Sequence, residues 1–106
     1  MRELTASEIT NEVLLRFRAK GWTVWRQNNL TYGKRKNIAT PGIPDIIGYT
    51  GSGTFIGCEV KKIGDTFKPA QKKFLLALDI ADGYAFYATQ ENDKVVIKPI
   101  RHAEIL

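Results

Sequence analysis

The stretch from Pro44 to Lys61, PDIIGYTGSGTFIGCEVK, constrains this chain more than any other. Ile46, Ile47 and Tyr49 make one short apolar run, and Phe55, Ile56, Cys58 and Val60 make a second. Gly51-Ser52-Gly53 lies between them and is expected to supply the positive φ angles of a tight hairpin. Side chains alternate across a strand, so Glu59 and Lys61 share one face and Cys58 and Val60 the other. An antiparallel partner then brings Asp45, at the start of the first run, beside the end of the second. Two carboxylates and an ammonium converge at one sheet edge.

That convergence has a chemical use. A hard divalent cation such as Mg²⁺ takes carboxylate oxygens and waters and keeps positions open for a phosphate. Asp45 and Glu59 are the candidate ligands, with the backbone carbonyl of Val60 as a third. Such an ion polarises a phosphodiester and acidifies a bound water. Lys61 would orient that water or offset the negative charge that builds up in the transition state. The plainer alternative is a solvated strand pair, with Glu59 and Lys61 as a same-face ion pair and Asp45 as a turn residue.

Around this hairpin the chain reads as two helices and three more strands. Thr5 to Lys20 predicts a helix, with Thr5-Ala6-Ser7-Glu8 as a capping box. Ile9, Val13 and Phe17, flanked by Ala6, Thr10 and Leu14, form its packing face, and Gly21 ends it. Trp22 to Trp25 predicts a strand. A long polar loop then runs through Pro41, carrying Tyr32 among Lys34, Arg35 and Lys36, an aromatic-basic mixture suited to nucleic acid. Pro69 fits the first turn of a second helix reaching Asp79, with Phe74, Leu75 and Leu78 as its apolar stripe and Gly83 at the break beyond. Tyr84 to Thr89 and Val95 to Lys98 predict a closing hairpin through Glu91-Asn92-Asp93, stopped by Pro99. Arg101 to Leu106 allows a final helical turn. Two helices on a mixed sheet give an α/β or α+β layered domain.

With 106 residues the chain suits one domain, residues 1–106, rather than two. Cys58 is the single cysteine and His102 the single histidine, which leaves neither an internal disulfide nor a zinc site. No apolar run approaches membrane-spanning length and nothing resembles a signal peptide, so an intracellular, cytoplasmic setting is expected. The net charge of +5 suits a polyanionic partner. Its placement says more: Lys34 to Lys36 lie in one loop, and Lys61, Lys62, Lys68, Lys72 and Lys73 follow the hairpin. Both groups flank the proposed site, where they would contact a phosphate backbone.

Pro44-Asp45, thirteen intervening residues and Glu59-Val60-Lys61 together resemble the PD-(D/E)XK nuclease signature. The phrases GIPDIIGY, CEVKK and KPAQKKFLLAL are similar to the VRR-NUC subfamily, small nucleases found alone in phages and bacteria or fused to larger repair enzymes. That subfamily is related to archaeal Holliday-junction resolvases. The resemblance runs from about Ser7 to Thr89. It implies an αβββαβ restriction-endonuclease-like core, here with one extra strand, its mixed sheet flanked by two helices. It also implies a first-helix glutamate in the metal cluster. Glu8 fits the motif best by its distance to Gly21, and Glu12, one turn on, remains open. Gln71 matches a glutamine that points back to the metal site, and Arg26 and Asn28 match polar positions near the substrate.

The expected activity is hydrolysis of DNA phosphodiesters by a Mg²⁺-dependent endonuclease, with Mn²⁺ able to substitute. So small a domain carries no module for reading a long base sequence, which leaves shape and backbone readout. The resemblance implies branched DNA, a four-way junction first, and paired cuts imply a homodimer. A flap or nicking nuclease, or a non-catalytic nucleic-acid-binding module, are the rival readings.

Overall fold

Thr5 starts the first helix as the sequence predicts. In a computed structural model describing residues 2–27 and 40–101, helix α1 spans Ala6–Ala19. The Thr5 hydroxyl accepts the Glu8 amide at 3.1 Å, and the Glu8 carboxylate accepts the Thr5 amide at 3.1 Å. Both halves of the capping box are therefore made. Ile9, Thr10, Val13, Leu14 and Phe17 are buried at helical spacing; Ala6, in the first turn, is exposed. At the far end Gly21 adopts φ +84°, its amide bonds the Arg18 carbonyl, and the Trp22 amide bonds that of Phe17. This is a Schellman closure, and its apolar contact is the Phe17–Trp22 ring pair at 5.1 Å.

That closure shifts the first strand. Trp22 spends its amide on the helix and packs its ring against Phe17 and Phe86, so β1 spans Thr23–Arg26, one residue later than predicted. The remaining elements are β2 (Ile46–Tyr49), β3 (Phe55–Lys61), α2 (Pro69–Ile80), β4 (Tyr84–Glu91) and β5 (Lys94–Pro99). They build one mixed sheet in the order β1-β2-β3-β4-β5. Among the described strands only β3 and β4 pair in parallel, which is why α2 must cross between them. Among the described residues the chain is thus a mixed α+β fold of five strands and two helices.

The two faces of the sheet carry different cores. Val24, Ile46, Ile56, Cys58, Val60, Ala88 and Val95 pack with the buried stripe of α1. On the alternate strand positions, Ala85 packs with Leu75 and Ile100, supported by Phe67, Leu76, Leu78 and Tyr87. Within α2 only Leu75 of the predicted stripe is fully buried; Phe74 and Leu78 are half-covered. Burying one such leucine contributes about 1.5–3 kcal/mol.

Two turns depart from expectation. Of Gly51-Ser52-Gly53 only Gly53 takes a positive φ, at +87°, and its amide bonds the Thr50 carbonyl at 3.0 Å. After α2, Asp82 takes the left-handed conformation at φ +66°, not Gly83. Gly83 is needed for space instead, because a Cβ there would collide with Leu78. The closing hairpin turns on Asn92 at φ +55°, a residue type that tolerates that region, and its strands extend further than predicted on both sides. Asn28, Tyr32, Lys34, Arg35, Lys36 and the proposed turn after Arg101 lie outside the described residues.

Candidate active site

Asp45 is clamped where β2 begins. Its carbonyl accepts the Gln27 amide at 2.7 Å, extending the β1 pairing, and Pro44 before it is fully buried. Ile46 sits opposite Cys58, so Asp45 falls opposite Glu59, and its Oδ2 accepts the Val60 amide at 2.9 Å. A strand residue's N–H and C=O point to the same side, so the Val60 carbonyl faces the same edge. Asp45 is thereby fixed at the point the hairpin register predicts.

Glu59 is the unusual member. It is 2 % exposed, and its Oε2 has no hydrogen-bond partner among the described residues. Burial pushes its pKa up to about 9, with the hydrogen bond and the charge of Asp45 adding to the rise; Lys61 and Lys68 pull the other way. Two carboxyl groups that share one pocket cannot both carry charge without a compensating proton or cation. An orphaned, buried oxygen beside a second carboxylate is the donor set a hard cation seeks. Asp45, Glu59 and the Val60 carbonyl are the groups that would hold one.

Lys61 is 9 % exposed, and its Nζ donates to Gln71 Oε1 at 2.7 Å. The same oxygen accepts the Lys68 amide at 3.0 Å, at the first turn of α2. The Phe67 ring centroid lies 5.3 Å from the ammonium. Gln71 thus ties the helix N-terminus to the end of β3. The solvated strand pair does not describe this site: both Glu59 and Lys61 are buried, and the lysine bonds an amide rather than the glutamate.

The structure does not bring the first-helix carboxylates to this pair. The Glu8 carboxylate is committed to the Thr5 amide and to Arg2 at 2.8 Å, contacts that hold its pKa below the usual carboxylate range, with the Thr5 backbone bond the larger cause. Glu12 pairs with Arg16 at 3.0 Å one turn along the helix. Among the described residues no cluster of three or more acidic, histidine or cysteine side chains could hold a metal. Arg26 reaches Ser7 on α1 at 3.3 Å, away from the pair. Lys62, Lys68 and Lys72 are exposed. Cys58, beside Glu59, is buried with its thiol pKa pushed up by desolvation.

Two contributors carry no strong sequence signal. Phe67 looks like a turn residue until the crossover lays it over Lys61. Gly42, at φ +77°, lies against the Ala70 carbonyl where any Cβ would collide, so the segment leading to Asp45 docks on the first turn of α2. A Pro-Gly pair favours a turn, but nothing local in the sequence marks the distant helix that Gly42 meets.

No protein-family model matches the chain. It is 37 % identical over 65 residues to a class 1 fructose-1,6-bisphosphatase of Pelodictyon phaeoclathratiforme. That match covers 61 % of this chain and 19 % of the bisphosphatase, so the chain spans about a fifth of that curated relative. Among the described residues no helix is long and apolar enough to cross a membrane.

Proposed function

We propose that this chain is a divalent-metal-dependent DNA endonuclease of the PD-(D/E)XK type, similar to VRR-NUC nucleases. The observation that carries the reading is the unpartnered buried oxygen of Glu59, facing Asp45 and standing two residues from a buried lysine. The mixed sheet and its two helices are compatible with the αβββαβ core of that type, extended by β5.

Asp45, Glu59 and the Val60 carbonyl would hold Mg²⁺, or Mn²⁺ in its place. When bound, such an ion polarises the phosphodiester and lowers the pKa of its water. Lys61, positioned by Gln71 and Phe67, donates toward the reacting phosphate and offsets its growing negative charge. Lys68 adds positive potential at the same edge. Asp45 holds the Val60 amide, which keeps the end of β3 in register with the carboxylate pair. Glu8 is assigned to capping α1.

Branched DNA is the proposed substrate, cut by a homodimer, in an intracellular setting. The test is cleavage of a labelled four-way junction with Mg²⁺ or Mn²⁺, beside a flap, a nicked duplex and a linear duplex. Paired incisions near the branch, lost in Asp45→Ala and Lys61→Ala, support the reading in full. Equal cutting of all four substrates keeps the chemistry and removes the junction preference. Binding without cleavage, unchanged in both variants, leaves only a nucleic-acid-binding module.

A further inference from the structure

Beside the carboxylate pair the sheet presents an open aromatic strip. Val24, Ile46, Ile56 and Cys58 face α1, so Trp25, Ile47, Tyr49, Phe55 and Glu59 occupy the opposite face. Helix α2 packs on that face over β3 and β4, and among the described residues no helix packs with comparable extent on its β1–β2 half. Trp25, Tyr49 and Phe55 are 42 %, 48 % and 42 % exposed there. Trp25 is in register with Ile47, one step along the face from Asp45, and Tyr49 with Phe55, one step further. Same-face positions are two residues apart, roughly 6.6 Å per step. The strip therefore leads away from the site in nucleotide-sized strides.

We propose that Trp25, Tyr49 and Phe55 form a stacking platform for bases left unpaired at a DNA branch next to the scissile phosphate. This rests on the nuclease reading for its location. Three further features carry it. Trp25 and Tyr49 meet at 72° with centroids 6.3 Å apart, so they do not use up both ring faces on each other. Among the described residues the face carries no acidic side chain between them and the carboxylate pair, and Lys61 and Lys68 stand at its head, which suits a polyanion. A second copy of the chain fits less well: three half-exposed aromatic rings offer roughly 300 Å², against roughly 800 Å² per partner in a stable interface. Base stacking needs only one ring per base and tolerates any sequence.

The experiment measures binding of a fluorescein-labelled single-stranded oligonucleotide, and of the matching blunt duplex, by anisotropy in EDTA. Wild type is compared with Trp25→Ala, Trp25→Phe, Phe55→Ala and Asp45→Ala. Trp25→Ala and Phe55→Ala are expected to weaken single-strand binding about tenfold. Duplex affinity should stay within about twofold, and Trp25→Phe should keep most of the single-strand affinity. Equal losses on both DNAs, or none on either, overturn the platform. So does sedimentation showing a wild-type dimer that Trp25→Ala splits into monomers, which makes the strip a contact between copies. Cleavage by the same proteins separates the two claims. If Asp45→Ala abolishes cleavage while Trp25→Ala changes nothing, the nuclease stands and the platform falls. If no protein cleaves but single-strand binding follows Trp25, the nuclease reading falls and the platform stands.

Discussion

The Lys61 ammonium donates to the amide oxygen of Gln71 at 2.7 Å rather than to the carboxylate two residues before it. A neutral acceptor fixes the lysine without cancelling its charge, so Lys61 stays available to an anion arriving at Asp45 and Glu59. Gln71→Leu removes that acceptor and also takes away the partner of the exposed Lys68 amide. The expected result is a 10–100-fold fall in single-turnover cleavage with little change in DNA affinity, and a stability loss of about 1–2 kcal/mol. Gln71→Glu restores an acceptor and should recover stability more than rate. Equal rates in wild type and Gln71→Leu would show that the lysine is not positioned through this amide.

Glu59 links the site to pH. Its pKa is about 9 in the folded chain against an ordinary value of 4.5, so between those values the native state binds more protons than the unfolded state. Stability from this group is complete below about pH 4.5 and is lost as pH rises toward 9. Without divalent metal, Tm should fall by several degrees between pH 5 and pH 9, and Glu59→Gln should flatten that fall. A cation replaces the proton, so the Tm increase given by Mg²⁺ should be small at pH 5 and grow toward pH 9. A Mg²⁺ effect independent of pH, or unchanged in Glu59→Gln, would remove Glu59 from the cation site.

Gly42 and Gly53 offer a controlled comparison. Both hold positive φ, +77° and +87°, so alanine strains the backbone at either. A Cβ at Gly53 meets nothing within 4 Å, whereas at Gly42 it strikes the Ala70 carbonyl. Gly53→Ala should cost about 1 kcal/mol and leave cleavage intact. Gly42→Ala should cost about 2–3 kcal/mol and lower cleavage at least tenfold, because it pushes the approach to Asp45 off the helix that carries Gln71. Matching effects in chemical denaturation and in rate would show that strain alone is at work.

These residues show where sequence was sufficient. The hairpin register was legible because apolar alternation leaves one pairing that buries Ile46, Ile56 and Cys58 together, and that pairing sets Asp45 against Glu59. The capping box at Thr5 and Glu8 was legible because all of its partners lie within one turn. What escaped was non-local. The burial of Glu59 and Lys61 depends on α2 crossing over β3. Phe67 over Lys61 and Gly42 against Ala70 join segments whose meeting only the assembled sheet creates. The one-residue shift of β1 came from the Schellman closure taking the Trp22 amide, a competition between helix end and strand start that periodicity does not register.

Glu8 is where family resemblance and geometry part. The resemblance makes a first-helix glutamate a metal ligand; the structure spends the Glu8 carboxylate on the Thr5 amide and on Arg2. A capping role predicts that Glu8→Ala weakens the helix start, seen as a lower denaturation midpoint. Cleavage measured well below that midpoint should be unchanged, as should the Mg²⁺ concentration giving half-maximal rate. Glu8→Gln keeps a side-chain oxygen for the Thr5 amide and should recover most of the stability. The opposite pattern, a stable Glu8→Gln variant that no longer cuts or needs much more Mg²⁺, would mean the carboxylate leaves its cap to join Asp45 and Glu59 when metal and DNA arrive. Glu12→Gln run in parallel tests the neighbouring carboxylate: its bond to Arg16 is exposed, so its removal should change stability by less than about 0.5 kcal/mol and leave the rate alone.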